Sequence, residues 1–266
     1  MILSAIIILG AIGALSAIIL FVVSKKFEIY EDPRIGQIQE MLPAANCGGC
    51  GYPGCGGFAA ACVNSNSLEG LICPVGGNSL MQQIAEVLGK TVGSFDPKIA
   101  VVKCNGSCKN RPRTNQYDGA QTCAIASSLY SGETECAYGC LGFGDCVAAC
   151  TFAAIVINPE TLLPEIDEEK CTSCGACVKV CPKLLIELRK KGQESKRIYV
   201  GCSNKDKGAV AKKVCEAACI ACLKCQKVCS FEAITITDNI AYIDDNKCTL
   251  CCKCVSECPT FTIIER

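Results

Sequence analysis

The chain has 266 residues, of which 27 are cysteine and none is histidine or tryptophan. The absence of histidine excludes Rieske ligation, most haem sites, mixed Cys/His zinc sites and the usual general base of acid–base catalysis. Basic and acidic residues balance at 26 each, so no overall field attracts nucleic acid. Because aromatic residues are only 6% of the chain, its domains are expected to fold around metal rather than a large apolar core.

An apolar run opens the chain, since residues 2–23 carry no charge and are rich in isoleucine, leucine and alanine. As a helix this run is roughly 33 Å long, which is enough to span a bilayer. A cleaved signal peptide is the alternative, but it has a basic n-region and a shorter apolar stretch. Lys25 and Lys26 follow the run, so the positive-inside rule puts the N-terminus outside and the rest in the cytoplasm. The sequence predicts an anchor in the cytoplasmic membrane at 1–26 and a linker or stem helix at 27–40.

The first group of cysteines lies in the sequence NCGGCGYPGC, and a further cysteine follows in Cys73-Pro74. Glycines allow the unusual φ angles that a loop with three neighbouring sulfurs requires. Cys62 lies in a helical pattern between these segments and is expected to be a buried small hydrophobe. We predict a domain at 41–94 with one [4Fe–4S] cluster, whose ligands are Cys47, Cys50, Cys55 and Cys73. A helix is predicted to end at Gly89, and residues 99–102 predict a short strand.

Beyond residue 95 the sequence repeats itself. Cys215 stands 79 positions after Cys136, and this offset relates the segments that follow until it changes to 77 downstream, where Lys170-Cys171 matches Lys247-Cys248. Each copy contains two cysteine loops separated by a predicted β-hairpin, at 155–166 and at 234–243. The sequence therefore predicts an α+β chain with two tandem ferredoxin-like two-cluster units, the first at 95–198 with a cysteine-rich insertion and the second at 199–266.

Three complete runs of the spacing C-x2-C-x2-C-x3-C lie in the C-terminal half. Three such thiolates reach three corners of one cubane, and the fourth serves the other cluster of a two-cluster ferredoxin. Zinc ribbons and disulfides also use paired cysteines, but neither explains three complete runs. The crossed rule predicts three ligand sets: Cys171, Cys174 and Cys177 with Cys150; Cys219, Cys222 and Cys225 with Cys258; and Cys248, Cys251 and Cys254 with Cys229. Cys252 is predicted to be a bystander.

The first copy lacks one ligand, because Phe143 stands where the second copy has Cys222. Cys136 is the nearest substitute, although its counterpart Cys215 exists where no substitute is needed, so the assignment stays open. The predicted set is Cys136, Cys140, Cys146 and Cys181.

The remaining cysteines suggest a sixth cluster. Its candidate ligands are Cys104, Cys108 and Cys123, with Cys136, Cys202 or Cys215 as the fourth. Five to six [4Fe–4S] clusters are therefore expected, and six is the preferred number.

The motifs in combination resemble one family, the B subunit of the Rnf complex, a membrane-bound ferredoxin:NAD oxidoreductase that pumps sodium ions or protons. The likeness covers the whole chain and rests on the anchor, the NCGGCGYPGC loop, the VVKCNGSC segment, the CAYGCLGFGDC loop and the two ferredoxin-like units. It implies a translocase subunit that accepts low-potential electrons from reduced ferredoxin and relays them towards membrane and flavin-carrying subunits. No substrate chemistry is expected in this chain. Its alternatives are a ferredoxin-like subunit of another membrane reductase, an electron donor to a corrinoid protein, and a purely structural metal protein.

A basic region offers a docking face for a ferredoxin, which is usually acidic. The alternative is an ordinary solvated surface, and an RNA-binding interpretation is poor because Tyr199 is the only aromatic residue nearby. The basic residues concerned are Arg189, Lys190, Lys191, Lys196, Arg197, Lys205, Lys207, Lys212 and Lys213.

Overall fold

The computed structural model describes residues 2–26, 32–129 and 132–266, and it begins with one long apolar helix. Helix α1 (Ile2–Lys26) has 25 residues, so at 1.5 Å per residue it is about 37 Å long. The side chains of Leu9 and Phe21 are 70% and 64% exposed. Within the described ranges no other helix is long and apolar enough to cross a membrane. The predicted apolar helix is therefore confirmed, and its orientation stays a prediction.

Three helices form the N-terminal domain: α2 (Pro33–Met41), α3 (Gly54–Asn64) and α4 (Gly77–Leu88). Helix α2 begins where the Asp32 carboxylate accepts a hydrogen bond from the Arg34 N–H, with a proline at its first position. Helix α4 ends at Gly89, whose φ of 63° suits glycine at a helix C-terminus. The predicted end of this helix is confirmed.

The core of this domain joins all three helices. Ile38 of α2, Phe58 of α3 and Ile84 of α4 are almost fully buried in one apolar cluster. The segment 27–40 is predicted to be a linker or a stem helix; from Pro33 on it is helical, and Ile38 packs this helix into the domain. Residues 27–31 of the predicted linker lie outside the described residues.

Among the described residues after the N-terminal domain, eight short strands form four antiparallel pairs. The strands are β1 (Lys98–Val102), β2 (Ile155–Ile157), β3 (Pro164–Ile166), β4 (Ile186–Lys190), β5 (Ile198–Val200), β6 (Ile234–Thr237), β7 (Ile240–Ile243) and β8 (Ile263–Glu265). Strand β2 pairs with β3 and β6 with β7, which confirms both predicted hairpins. Strand β1 pairs with β4 and β5 with β8, so each copy is closed by its own first and last strands. We call residues 98–190 the first unit and residues 198–265 the second unit.

Short helices carry the cysteine loops of both units. They are α5 (Cys123–Leu129), α6 (Asp145–Ala148), α7 (Ala176–Val180), α8 (Gly208–Val214), α9 (Lys224–Val228) and α10 (Lys253–Ser256). In the first unit, glycines with positive φ, Gly144 and Gly175, precede α6 and α7. In the second unit the equivalent positions are Leu223 and Cys252, with φ of 65° and 60°. Cys252 thus lies in a turn, and its thiol donates a hydrogen bond to the Leu250 carbonyl.

The two units pack against each other along matching segments. Tyr199 of β5 is buried against Ile99 and Val101 of β1. Directly after these strands, the Asn105 N–H donates to the Gly201 carbonyl at 2.7 Å, which joins the two chain segments side by side. The cysteines that follow β1 and β5 are consequently brought to the junction of the units.

Candidate iron–sulfur sites

The N-terminal domain brings its four predicted ligands together around one pocket, closed on one side by Phe58. The Asn46 carboxamide oxygen accepts from the Cys55 N–H at 2.8 Å, and the Gly76 N–H points at the Cys73 sulfur at 3.4 Å. The pocket is lined by Cys47, Cys50, Cys55 and Cys73. Cys62 lies instead in the apolar core, where burial raises its pKa to about 11. Cys62 is thus placed as a core residue.

The second unit forms two cysteine pockets with the crossed pattern. Burial raises the pKa of Cys225 to about 11 and that of Cys254 to about 12, and in both cases neighbouring cysteines raise it further. The cysteines of one pocket are Cys219, Cys222, Cys225 and Cys258, and those of the other are Cys229, Cys248, Cys251 and Cys254, with Cys252 at its edge. Both predicted sets are therefore brought together.

In the first unit, Cys177 lies close to its three predicted companions. Burial raises the pKa of Cys177 to about 12, and the charges of Cys171, Cys174 and Cys150 contribute to the rise. The Cys150 sulfur also faces the Ala154 N–H at 3.4 Å. These contacts agree with the predicted set.

The other site of the first unit differs from the prediction in its fourth cysteine. The pocket is lined by Cys123, Cys140, Cys146 and Cys181, and Cys136 is absent from it. The structure therefore does not bring Cys136 to this group, and Cys123 of the inserted segment lies beside the other three cysteines instead.

A carboxylate holds Cys123 in position. Both oxygens of Asp145 accept hydrogen bonds from the start of α5, from Cys123 N at 2.8 Å and Ala124 N at 3.0 Å. Asp145 is also the first residue of α6, next to Cys146. Phe143 turns its ring towards Tyr117, with 5.7 Å between the ring centroids. Phe143, which stands where the second copy has Cys222, thus makes an aromatic contact, and the fourth cysteine of the pocket comes from α5.

The cysteine groups fit an iron–sulfur cubane better than a single metal ion. Across the described residues, no three cysteine, aspartate, glutamate or histidine side chains converge tightly enough for one ion. The four-cysteine pockets instead enclose a space between the sulfurs. Burial raises the pKa of several thiols, including Cys140 to about 12, so their thiolate forms need a bound cation, which iron supplies. Backbone N–H groups aimed at the sulfurs of Cys73, Cys150 and Cys181 are typical of such sites.

The cysteines outside these groups separate into two kinds. Cys108 is exposed and its nearest partner is the Thr161 carbonyl, at 3.6 Å. Since Cys123 belongs to the pocket described above, the predicted trio of Cys104, Cys108 and Cys123 is not brought together. A different set lies at the junction of the units, namely Cys104, Cys136, Cys202 and Cys215.

Comparison with known proteins finds two family models that match short segments and several relatives that match nearly the whole of this chain. The FeS family model, for an Fe-S cluster, matches residues 42–69, and a 4Fe-4S binding domain matches residues 164–187. The B subunit of the Na(+)-translocating ferredoxin:NAD(+) oxidoreductase complex of Acetobacterium woodii is 46% identical over 95% of this chain and 74% of its own length. The B subunit of an ion-translocating oxidoreductase complex of Methanosarcina acetivorans is 37% identical over 95% of this chain and 94% of its own length. The chain belongs to the family of Rnf complex B subunits.

The similarity to Rnf B subunits extends over nearly the whole chain. A third relative, the B subunit of the proton-translocating ferredoxin:NAD(+) oxidoreductase complex of Clostridium ljungdahlii, is 34% identical over 97% of this chain and 90% of its own length. These matches cover 95–97% of the chain and so are not confined to the four-cysteine domain. The protein is therefore an iron–sulfur subunit of a membrane complex, and the corrinoid alternative is excluded.

The basic region of this Rnf B protein is largely neutralised. Lys190 pairs with Asp96 at 2.6 Å, Lys196 with Glu194 at 2.8 Å, and Lys205 with Asp238 at 3.3 Å. Arg189 and Arg197 are buried and pair with Glu187 and Glu168. These carboxylates offset five of the nine predicted charges, which supports the alternative of an ordinary surface over a basic docking face.

Proposed function

We propose that this chain accepts single electrons from reduced ferredoxin and relays them through [4Fe–4S] clusters towards the membrane and flavin-carrying subunits of its complex. Ferredoxin and NAD(+) are named for the relatives from A. woodii and C. ljungdahlii. The observation that carries the proposal is the succession of cysteine groups, each of which lies beside the next. Bound clusters change oxidation state by one electron with little bond rearrangement.

The first step of the succession joins the N-terminal domain to the first unit. Gly49 lies on the loop between Cys47 and Cys50, and its backbone approaches Cys174 very closely. A Cβ atom at this position would be 2.8 Å from the Cys174 carbonyl oxygen and 2.9 Å from its Cα. Only glycine permits this approach without a shift. The cysteine loop of the N-terminal domain is thus placed directly against a loop of the first unit.

Within each unit the crossed ligands place two cysteine groups side by side. The charge of Cys146 in one group contributes to the raised pKa of Cys177 in the other. In the second unit the charge of Cys225 contributes to the raised pKa of Cys254 in the neighbouring group. Each crossing cysteine follows the helix that carries a ligand of the neighbouring group, so the chain itself keeps the two groups together.

The residues around the sulfurs bury and orient the ligands. We assign five clusters to five sets: Cys47, Cys50, Cys55 and Cys73; Cys150, Cys171, Cys174 and Cys177; Cys123, Cys140, Cys146 and Cys181; Cys219, Cys222, Cys225 and Cys258; and Cys229, Cys248, Cys251 and Cys254. Backbone N–H groups stabilise the thiolate form, and the apolar lining keeps water from the metal.

The proposal is tested on the full chain, purified anaerobically in detergent. We expect at least about 20 iron and 20 acid-labile sulfide atoms per chain, since each cubane holds four of each. Stoichiometric reduced ferredoxin should bleach the visible absorption and generate EPR signals of reduced cubanes. Zinc in place of iron, or clusters that dithionite reduces but reduced ferredoxin does not, would contradict the proposed function.

We also propose that α1 anchors the chain with its clusters on the cytoplasmic side, because Lys25 and Lys26 lie in its last turn. Removing residues 1–31 is expected to release the protein from membranes with its iron content unchanged. An unrelated apolar span in place of 2–23 is the control and should restore membrane binding. A native protein whose N-terminus begins beyond residue 23 would overturn the anchor.

A further inference from the structure

Four cysteines at the junction of the units form two pairs that the sequence repeat relates. Cys104 follows β1 and Cys202 follows β5, the opening strands of the first and second units. Cys136 and Cys215 occupy equivalent positions, 79 residues apart, before the first cysteine loop of each unit. Each unit therefore contributes one cysteine of each pair.

The four side chains lie close together. The charge of Cys104 contributes to the raised pKa of Cys136, Cys202 and Cys215, whose main cause is burial. The charge of Cys136 also contributes to the raised pKa of Cys215. A Cβ atom built on Gly106, two residues after Cys104, would lie 3.3 Å from the Cys215 sulfur. The sulfurs are thus gathered by segments that lie about a hundred residues apart in the chain.

Polar groups are aimed at these sulfurs. Asn204 is 1% exposed, and its side-chain Nδ2 faces the Cys136 sulfur at 3.7 Å. Its backbone N–H faces the Cys202 sulfur at 3.4 Å. A buried amide that donates to sulfurs from both units is the kind of partner that iron–sulfur ligands have.

A buried cation lies beside the same cysteines. Arg111 is 9% exposed and donates to the carbonyls of Gly106 at 3.3 Å and Cys140 at 2.6 Å, and to the Thr134 hydroxyl at 3.2 Å. None of the carboxylates in the described ranges forms an ion pair with it. A nearby anion stabilises a buried guanidinium, and a cluster held by four thiolates would supply net negative charge.

We propose that Cys104, Cys136, Cys202 and Cys215 hold a further [4Fe–4S] cluster shared by the two units, with Arg111 as its counter-charge. This inference rests on the proposed electron-transfer function and completes its path. The charge of Cys104 contributes to the raised pKa of Cys140 in the first unit. The Cys202 sulfur accepts a hydrogen bond from the backbone of Cys219 in the second. One electron enters this site from a reduced cluster of one unit and leaves to an oxidised cluster of the other.

The site is tested by iron analysis of the full chain and of the double variant Cys136→Ala/Cys215→Ala. The native chain should contain about 24 iron atoms, and the double variant should lose about four while the other reducible clusters persist. Cys108→Ala is the control, because this exposed cysteine lies outside every group, and its iron content should equal that of the native chain. A native content of about 20, or a double variant that retains all its iron, overturns the shared site and leaves the five-cluster function intact.

A second variant is informative if the double variant fails to fold. Arg111→Gln keeps all four cysteines and removes the buried charge. We expect the midpoint potential of the junction cluster to fall most, since a nearby cation favours the reduced form, with a smaller fall at the cluster of Cys140, whose carbonyl Arg111 also contacts. Arg113→Gln, which removes an exposed arginine paired with Glu133, should leave the midpoint potential of every cluster unchanged. Unchanged potentials in Arg111→Gln would overturn the site, whereas a native chain without reducible clusters would overturn the proposed function itself.

Discussion

Replacing Cys123 with alanine is expected to remove one cluster, or about four iron atoms per chain. Cys123 completes the pocket of Cys140, Cys146 and Cys181, and no other sulfur lines that pocket. Electron transfer from the first unit to the second should slow as well, because Cys146 of this group adjoins Cys177 of the other group and Cys140 adjoins Cys104 at the junction. Iron analysis measures the first effect, and freeze-quench EPR after mixing with reduced ferredoxin measures the second.

A double variant separates this assignment from the one that sequence spacing suggests. If Cys123 and Cys136 belong to different clusters, then Cys123→Ala/Cys136→Ala should lose about eight iron atoms, twice the loss of either single variant. If they serve the same cluster, the double variant should lose only about four. The Cys108→Ala variant provides the control for the general effect of losing a cysteine.

Replacing Gly49 with valine is expected to separate the N-terminal domain from the first unit without removing any cluster. The new side chain would meet the backbone of Cys174, which cannot move aside as a flexible side chain can. Overpacking of this kind costs about 1–3 kcal/mol, which weakens the contact. We expect the magnetic interaction between the two neighbouring reduced clusters to weaken and electron transfer between them to slow.

The matched control for this variant is Gly93→Val, because nothing lies within 4 Å of a Cβ atom at Gly93 and its φ is ordinary. Both variants should retain the iron content of the native chain. An unchanged EPR interaction in Gly49→Val would show that this contact does not set the distance between the two clusters.

Most cysteine groups could be predicted from the sequence because their ligands are local. In the second unit, three sulfurs of each group lie within one loop, and a repeated pattern identifies the crossing cysteine. The hairpins at 155–166 and 234–243 were equally predictable, since alternating apolar residues occur at equivalent positions in both copies. Local spacing and repetition therefore predicted the mixed helix and short-strand fold and the four cysteine groups that the structure brings together.

Groups assembled from distant segments could not be predicted in this way. Cys123 reaches its pocket because Asp145 fixes the start of α5 beside α6, a contact that spans 22 residues and has no periodic signal. Cys136 was the nearer candidate in sequence, but it lies at the junction of the units. One signal was available: the equivalence of Cys136 with Cys215, and of the segments that end in Cys104 and Cys202, shows that these cysteines share a role.

The sequence by itself determined the class of chemistry, because cysteine number, loop spacing and the missing histidine leave cubane ligation as the fitting role. It also determined the apolar helix and the duplication. Only the tertiary structure decided which sulfurs meet across the insertion and the junction, and which basic residues are neutralised by carboxylates. The physical reason is that ligation and ion pairing depend on distances in space, and sequence spacing determines those distances only within a loop or a short helix.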